Sequence, residues 1–107
     1  MRVGIVSGYF NPIHTGHLDY IEGAREKCDM LYVIVNSDHQ VELKGSKKFL
    51  DQDSRARIVK ALKGVHKAFV SIDDGPSVVR SISKIHKEIC DDPFVGNIMF
   101  MNGGDRQ

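Results

Sequence analysis

The chain has 107 residues, of which 41% are hydrophobic and 27% are charged, and its formal net charge is +1. This length fits a single domain over residues 1–107 with enough apolar side chains for a core. A net charge so close to zero excludes an overall field that would attract nucleic acid or an anionic membrane. Because no apolar run approaches the ~20 residues that span a bilayer, and the N-terminus does not resemble a signal peptide, we expect a cytoplasmic protein.

The two cysteines, Cys28 and Cys90, lie far apart and form neither a Cys-x-x-Cys motif nor a Cys/His metal-binding pattern. In a reducing cytoplasm such residues are usually free thiols. We expect both to be buried or half-buried and unbonded, and we expect no metal site built from protein side chains.

The first half of the chain predicts two strands and one helix. Residues 2–7 are apolar, largely β-branched and end at Gly8, which predicts a buried strand. Residues 15–27 carry apolar side chains at helical spacing, with acidic groups early and basic groups late, as the helix dipole favours. Residues 30–35 form a continuous apolar run that suits a parallel strand covered on both faces. The polar segment 39–51 is expected to be a loop.

The second half of the chain continues the alternation. Residues 53–62 predict a helix that Asp53 or Ser54 could cap. The remaining elements are a strand over 67–72, a helix over 77–89 and a strand over 97–101. The order β-α-β-α-β-α-β is typical of a parallel sheet with right-handed crossovers and helices on both faces. The expected fold class is α/β, a Rossmann-like three-layer sandwich whose C-terminal part is short or missing, because the chain stops soon after the fourth strand.

Ligands of open parallel sheets bind beyond the carboxyl ends of the strands. Three of the four strand ends carry polar chemistry, namely residues 7–17, 36–38 and 102–105. The end of the third strand, Asp73-Asp74-Gly75, predicts a plain turn. The topology should bring the three polar ends to one crevice.

The segment 8–17 reads Gly-Tyr-Phe-Asn-Pro-Ile-His-Thr-Gly-His and lies between a strand and a helix. Gly8 lets the backbone turn tightly, and a helix N-terminus offers free N–H groups that favour phosphate. His14 and His17 are three residues apart, so both imidazoles can face one anion. Gly16 between them removes a side chain that would crowd the phosphate. Donors in this arrangement suit attack on an α-phosphorus.

A bare His-x-x-His pair has other interpretations. Such histidines are more often helix caps or surface residues, or a metal pair. A zincin-type pair needs a spacing of four residues and an intervening Glu, and this chain has neither. The whole decapeptide directly after a strand favours the phosphate interpretation.

The decapeptide resembles the signature of the HxGH nucleotidyltransferase superfamily, which includes cytidylyltransferases, adenylyltransferases and class I aminoacyl-tRNA synthetases. The segments 35–38 and 43–45 are similar to the second-strand region of glycerol-3-phosphate cytidylyltransferase and of the adenylyltransferase domain of ADP-heptose synthase. Arg55 matches their basic helix start, and residues 103–105 match their fourth-strand motif. The resemblance covers essentially the whole chain and implies the nucleotidyltransferase variant of the Rossmann-like fold.

The resemblance implies a set of nucleotide-binding residues. His14 and His17 would stabilise the transferred phosphoryl group as catalytic residues. The motif and the fourth-strand end would line the nucleotide, and the residues expected there are Gly8, Tyr9, Phe10, Asn11, His14, Gly16, His17, Gly103, Gly104 and Asp105. Many cytidylyltransferases have Asp where this chain has Asn11, so that position carries no charge here.

The resemblance also implies an acceptor side. Lys44 would act in catalysis and, with Lys47, would contact the triphosphate or the acceptor phosphate. Arg55 and Asp38 would help to bind the acceptor. From the residues alone, the cluster Lys44, Lys47 and Lys48 fits a solvated loop equally well, and Asp38 also fits ordinary turn chemistry.

The implied reaction transfers CMP or AMP from CTP or ATP to a small phosphorylated alcohol or sugar and releases pyrophosphate, with Mg²⁺ bound to the triphosphate. CTP is the favoured donor, because the small members that this chain resembles are mostly cytidylyltransferases. Family members often form dimers, which implies a homodimer, although no interface can be read from these residues. The family's second, Ser/Thr-rich signature is not present in residues 1–107. The alternative is therefore a truncated nucleotide-binding domain without turnover.

Overall fold

The computed structural model of the protein describes residues 1–101. In chain order the elements are β1 (Arg2–Gly8), α1 (Thr15–Arg25), β2 (Met30–Val35), α2 (Asp38–Lys44), α3 (Gln52–Lys60), β3 (Lys67–Val70), α4 (Val79–Ile89) and β4 (Asn97–Phe100). All seven predicted elements are present with bounds shifted by two residues or fewer, and β2 has the predicted bounds. None of the helices in the described part of the chain is long and apolar enough to cross a membrane.

The four strands form one parallel sheet in the order β3-β2-β1-β4. The chain runs outward from β1 through β2 to β3 and then returns to the other side of β1. Ile5 of β1 therefore lies between Tyr32 of β2 and Phe100 of β4. The strand order reverses at β1, which places a topological switch point, and hence a ligand crevice, at the carboxyl ends of β1 and β4.

The core lies on both faces of the sheet because side chains alternate along each strand. In β2, Leu31 and Val33 pack with α1 and α3 on one face. Tyr32 and Ile34 pack on the other face, together with Ile85 of α4. The predicted Rossmann-like three-layer sandwich is confirmed.

The loop predicted over 39–51 is wrong in its first half, where the chain forms α2. Ser37 caps this helix through its side chain, which accepts from the backbone N–H of Gln40, while Gln40 reaches back to the N–H of Ser37. This reciprocal capping box stabilises a helix start, and the buried side chain of Val41 anchors the turn. Gly45 ends the helix at φ 79°, a backbone conformation that suits glycine.

Two predicted cap and turn assignments are also wrong. Helix α3 is capped by Asp51, whose carboxylate accepts the N–H of Ser54, and not by Asp53 or Ser54. Asp73 does not lie in a plain turn, because its buried carboxylate accepts from the Ser81 hydroxyl and from the backbone N–H groups of Arg80 and Ser81. Burial alone would raise the pKa of Asp73, but these hydrogen bonds outweigh it and lower the pKa.

Both cysteines are free thiols, as predicted, but the predicted burial is confirmed only for Cys28 and is wrong for Cys90. Cys28 is a buried free thiol under the sheet, whereas Cys90 is a free thiol exposed at the end of α4. Cys90 follows the last apolar position of α4, Ile89, so it falls on the solvent side of the helix end.

Candidate functional site

The start of α1 is built by the two histidines of the motif. His14 is the N-cap residue, and its Nδ1 accepts the backbone N–H of Gly16 at 3.0 Å. The Nδ1 of His17 in turn accepts the backbone N–H of His14 at 3.1 Å. Each imidazole thus satisfies one of the N–H groups that a helix start leaves without an intrahelical partner.

These bonds fix which nitrogen of each ring carries the proton. An Nδ1 that accepts a hydrogen bond is unprotonated, so a neutral ring carries its proton on Nε2. Burial, and secondarily the charge of nearby His14, lower the pKa of His17 from 6.5 to about 4. His17 is therefore neutral at pH 7 and offers one Nε2–H donor. The neutral form of His14 offers a second.

The imidazole rings of His14 and His17 stack, and the inner ring packs against the hydrophobic core. The ring centroids of His14 and His17 are 3.9 Å apart with an interplanar angle of 26°. The ring of Phe10, which is 1% exposed, lies 4.8 Å from that of His17 on the inner side. Buried His17 is therefore packed between Phe10 and the exposed ring of His14.

Gly16 leaves room for this stack. A Cβ at position 16 would lie 2.8 Å from Cε1 and 3.0 Å from Nδ1 of His14. These separations are shorter than carbon contacts allow, so any side chain at this position displaces the His14 ring. Gly16 thus leaves space for the His14 imidazole, and not only for the phosphate that the sequence pattern suggested.

The motif loop, residues 9–14, holds an unusual backbone conformation. Phe10 has φ 50°, a backbone conformation that residues other than glycine rarely adopt. Burial of its ring in the core compensates for this conformation. The peptide bond between Asn11 and Pro12 is cis.

Arg55 is buried beneath the candidate site and is not exposed on its surface. The residue is 1% exposed, and its guanidinium donates to backbone carbonyls of three segments, at Leu50 (3.0 Å), Tyr9 (2.8 Å) and Asn36 (2.7 Å). It also donates to the carboxylate of Asp38 at 2.8 Å. The expected contact between Arg55 and an acceptor does not match this position, and its donors instead join the loops that surround the site.

Asp38, the other residue expected to help bind the acceptor, is paired with basic side chains. Besides Arg55, its carboxylate lies 3.7 Å from the ammonium of Lys48. The backbone N–H of Asp38 donates to the side chain of Gln52 at 3.0 Å. Among residues 1–101, no three His, Cys, Asp or Glu side chains lie close enough together to hold a metal ion.

The lysines expected on the acceptor side border the motif loop in what we call the basic segment, residues 44–50. The ammonium of Lys44 lies 4.2 Å from the centroid of the Tyr9 ring, and that of Lys47 lies 5.6 Å from the Phe49 ring. Cation–π contacts of this kind orient a lysine without neutralising its charge. Both lysines are exposed, so their charges can reach a ligand.

Sequence reasoning missed one residue that shapes this edge of the sheet. Gln40 is fully buried; its Oε1 accepts from Asn36 and its Nε2 donates to the carbonyls of Gly75 and Ser77. It thereby joins the end of β2 to the loop before α4. The Ser-x-x-Gln spacing could have indicated a helix start, but not this long-range contact.

The structure thus brings together Tyr9, Asn11, His14, His17, Asp38, Lys44, Lys47 and Arg55 at the carboxyl end of β1 and β2. The predicted residues Gly103, Gly104 and Asp105 lie outside the described residues. The histidines and lysines among these residues are donors on and beside the loop that leads into a helix N-terminus. Such an arrangement stabilises phosphate oxygens.

A family model described as "Cytidylyltransferase-like" matches residues 5–105. The chain belongs to the cytidylyltransferase-like family. This confirms the resemblance based on the decapeptide, and family membership supports a nucleotidyltransferase-type role.

Curated relatives of this cytidylyltransferase-like chain include proteins named "Bifunctional protein HldE". The protein from Nitrobacter hamburgensis is 37% identical over 78 residues, which cover 71% of this chain and 16% of the relative. The protein from Rhodopseudomonas palustris (strain BisA53) is 36% identical over 90 residues, covering 82% and 18%. The chain therefore corresponds to less than a fifth of the length of these relatives.

A solved structure shares the fold. The crystal structure of the lipopolysaccharide core biosynthesis protein from Thermoplasma volcanium matches with a TM-score of 0.69 at 21% identity, covering 98% of both chains. At this identity the likeness establishes the Rossmann-like fold of the cytidylyltransferase-like chain, and nothing about its substrate.

Proposed function

We propose that this cytidylyltransferase-like chain transfers a nucleotidyl group from CTP, or alternatively ATP, to a phosphorylated alcohol or sugar. An oxygen of the acceptor phosphate forms a bond to the α-phosphorus of the nucleotide. The bond from the α-phosphorus to the bridging oxygen breaks, and pyrophosphate leaves with the electron pair. No covalent intermediate with the protein is needed.

The observation that carries this proposal is the pair of Nε2–H donors on His14 and His17. Both Nδ1 atoms are used in capping α1, so each Nε2–H is available to the phosphoryl oxygens. Negative charge builds on those oxygens in the transition state. Donors that are already oriented stabilise that charge without reorganisation, and removal of one such donor costs about 10²–10³ in rate.

The charges around the motif loop support the same reaction. Lys44 and Lys47 supply positive charge beside the motif loop, where the triphosphate or the acceptor phosphate would bind. Arg55 holds the carbonyls of Tyr9, Asn36 and Leu50, so it shapes the site from below as a positioning residue.

Mg²⁺ accompanies the nucleotide in this proposal. Within residues 1–101 the acidic group of the cluster is Asp38, which is paired with Arg55 and Lys48, and this fits an ion that is held mainly by phosphate oxygens. When bound, the ion neutralises charge on the triphosphate and on the departing pyrophosphate.

CTP is the donor to test first, since the matching family is described as cytidylyltransferase-like. ATP is the alternative, because the sequence also resembles an adenylyltransferase domain.

The test measures pyrophosphate release by the chain with Mg²⁺ and CTP or ATP, in the presence of glycerol 3-phosphate or a sugar 1-phosphate. A parallel thermal-shift titration reports binding, since nucleotide at 100 times its Kd adds about 2.7 kcal/mol and several degrees. Acceptor-dependent release supports the proposal. Stabilisation by a nucleotide without release for any acceptor supports the alternative, a nucleotide-binding domain without turnover. Neither binding nor release contradicts both.

A further inference from the structure

The side chain of Asn11 connects the motif loop to the backbone of the basic segment. Its Nδ2 donates to the carbonyl of Lys47 at 2.7 Å, and its Oδ1 accepts the N–H of Phe49 at 2.9 Å. These two bonds join residues 36 and 38 positions apart. One amide group therefore pairs with a donor and an acceptor on the same short stretch of chain.

The basic segment is long enough to need such an attachment. It begins at the last residue of α2, Lys44, and ends before Asp51, the cap of α3. At its start, the N–H of Ser46 donates to the carbonyl of Val41, and at its end the carbonyl of Leu50 accepts from Arg55. The two bonds from Asn11 lie between these points. They hold the middle of the segment directly on the motif loop.

We propose that Asn11 is a positioning residue that latches the basic segment onto the motif loop and so sets where Lys47 meets the phosphates. This inference rests on the proposed function, in which those phosphates are bound by His14 and His17. A lysine ammonium lies at the end of a flexible side chain of fixed length, so the position of the backbone determines which phosphate oxygens it can reach. The latch fixes that backbone before the ligand arrives, which lowers the entropy lost on binding.

The chemistry of the latch requires an amide. A carboxylate at the same position offers only acceptors, so it could keep the N–H of Phe49 but would face the carbonyl oxygen of Lys47 without a donor. The sequence difference noted at this position, Asn11 where many cytidylyltransferases have Asp, thus has a structural counterpart in this chain. The bonds are exposed to solvent, so their loss changes the position of the segment more than the stability of the fold.

The experiment compares the wild-type chain with Asn11→Asp and Asn11→Ala. Asn97→Asp is the matched control, because Asn97 is exposed at the start of β4, at the opposite end of the sheet. Hydrogen exchange of residues 46–50 reports the latch independently of turnover. Steady-state pyrophosphate release reports KM and kcat for CTP or ATP and for the acceptor.

Asn11→Ala is expected to exchange faster across residues 46–50, whereas Asn11→Asp should change exchange less, because its carboxylate can still accept the N–H of Phe49. Both variants are expected to raise a substrate KM about ten-fold. We expect kcat and the melting temperature to change little, and the Asn97→Asp control to behave as wild type. Unchanged exchange in Asn11→Ala overturns the latch, whatever the activity. Faster exchange with an unchanged KM overturns the positioning role. A wild-type chain without turnover overturns the proposed function alone, while exchange still decides the latch.

Discussion

The Nδ1 atom of His17 accepts the backbone N–H of His14, and the imidazole rings of the same two residues stack with centroids 3.9 Å apart. One nitrogen of each ring therefore stabilises the start of α1, and the other is free to donate to a ligand. In each ring Nδ1 has the structural role and Nε2 has the chemical role, so a suitable substitution can remove one role and keep the other.

Asn at position 14 or 17 separates the two roles. An Asn side chain places an oxygen close to the site of Nδ1, which keeps the cap, but it has no group at the site of Nε2. We expect His14→Asn and His17→Asn each to lower pyrophosphate release by about 10²–10³. The melting temperature should fall by only a few degrees.

The exposed residue His39, on α2, provides the control for these variants. His39→Asn makes the same chemical change away from the α1 start and should keep the wild-type rate. Wild-type rates in both the position 14 and position 17 variants would contradict the proposed mechanism.

Gly16→Ala should damage the site through the His14 ring. The added methyl group would lie 2.8 Å from Cε1 of that ring, so we expect the imidazole to shift and its hydrogen bond to the N–H of residue 16 to weaken. We expect turnover to fall by about 10–100-fold, comparable to a misplaced catalytic group. Steady-state kinetics and thermal unfolding measure the two effects.

Gly23→Ala is the matched control on the same helix, because a Cβ at position 23 meets nothing within 4 Å. Alanine is a better helix former than glycine by roughly 0.8–1.0 kcal/mol, so this variant should be more stable and equally active. Equal activity of the Gly16 and Gly23 variants would show that the close approach to His14 has no functional consequence.

Replacement of Arg55 by Met should destabilise the whole fold. The change removes a buried guanidinium, takes the 2.8 Å partner from the Asp38 carboxylate and removes one donor from each of three carbonyls. The Asp38 side chain is 27% exposed, so the loss should lie at the lower end of the range for a broken buried pair, about 3 kcal/mol. Urea unfolding measures the loss, and Arg57→Met, at an exposed position of α3, should stay within about 0.5 kcal/mol of wild type.

The pKa of His17 predicts how stability depends on pH. In the folded chain burial, together with the charge of His14, lowers this pKa to about 4, below the ordinary value of 6.5. Between those values the unfolded chain binds a proton that the folded chain does not. The free energy of unfolding therefore falls as the pH falls from 6.5 to 4, by at most ~1.4 kcal/mol per pH unit from this group.

His17→Asn removes this contribution, so the stability difference between wild type and variant should shrink across that pH range. Urea unfolding at pH 7, 6, 5 and 4.5 measures the difference. A difference that stays constant would show that His17 titrates normally in the folded chain.

Much of the fold follows from local patterns in the sequence. The apolar run of β2 and the alternation of strands with helices predict a parallel sheet, because such strands must be covered on both faces. The motif between β1 and α1 likewise predicts a helix start with two histidines on it. In these regions the residues that set the local sequence pattern are the same residues that form the structural element.

The parts that were not predicted depend on contacts across long stretches of chain. Arg55 was assigned to the acceptor because it matches the basic helix start of the family that the sequence resembles. Its burial depends on carbonyls 5, 19 and 46 positions away, which no local pattern reveals. The pairing of Asn11 with the basic segment is equally remote in sequence. Helix α2 was missed for a different reason, because its capping box lies in a polar stretch with few apolar positions.

The burial of Arg55 also bears on the order in which the site assembles. The carbonyls of Tyr9 and Asn36 obtain a shared donor only when α3 has docked against β2 and β3. A folding intermediate that lacks α3 would contain the complete decapeptide and yet have no organised site. If the proposed site binds nucleotide, we expect local opening of α3 to release these loops as well, so that ligand affinity and the lifetime of the native state depend on one side chain.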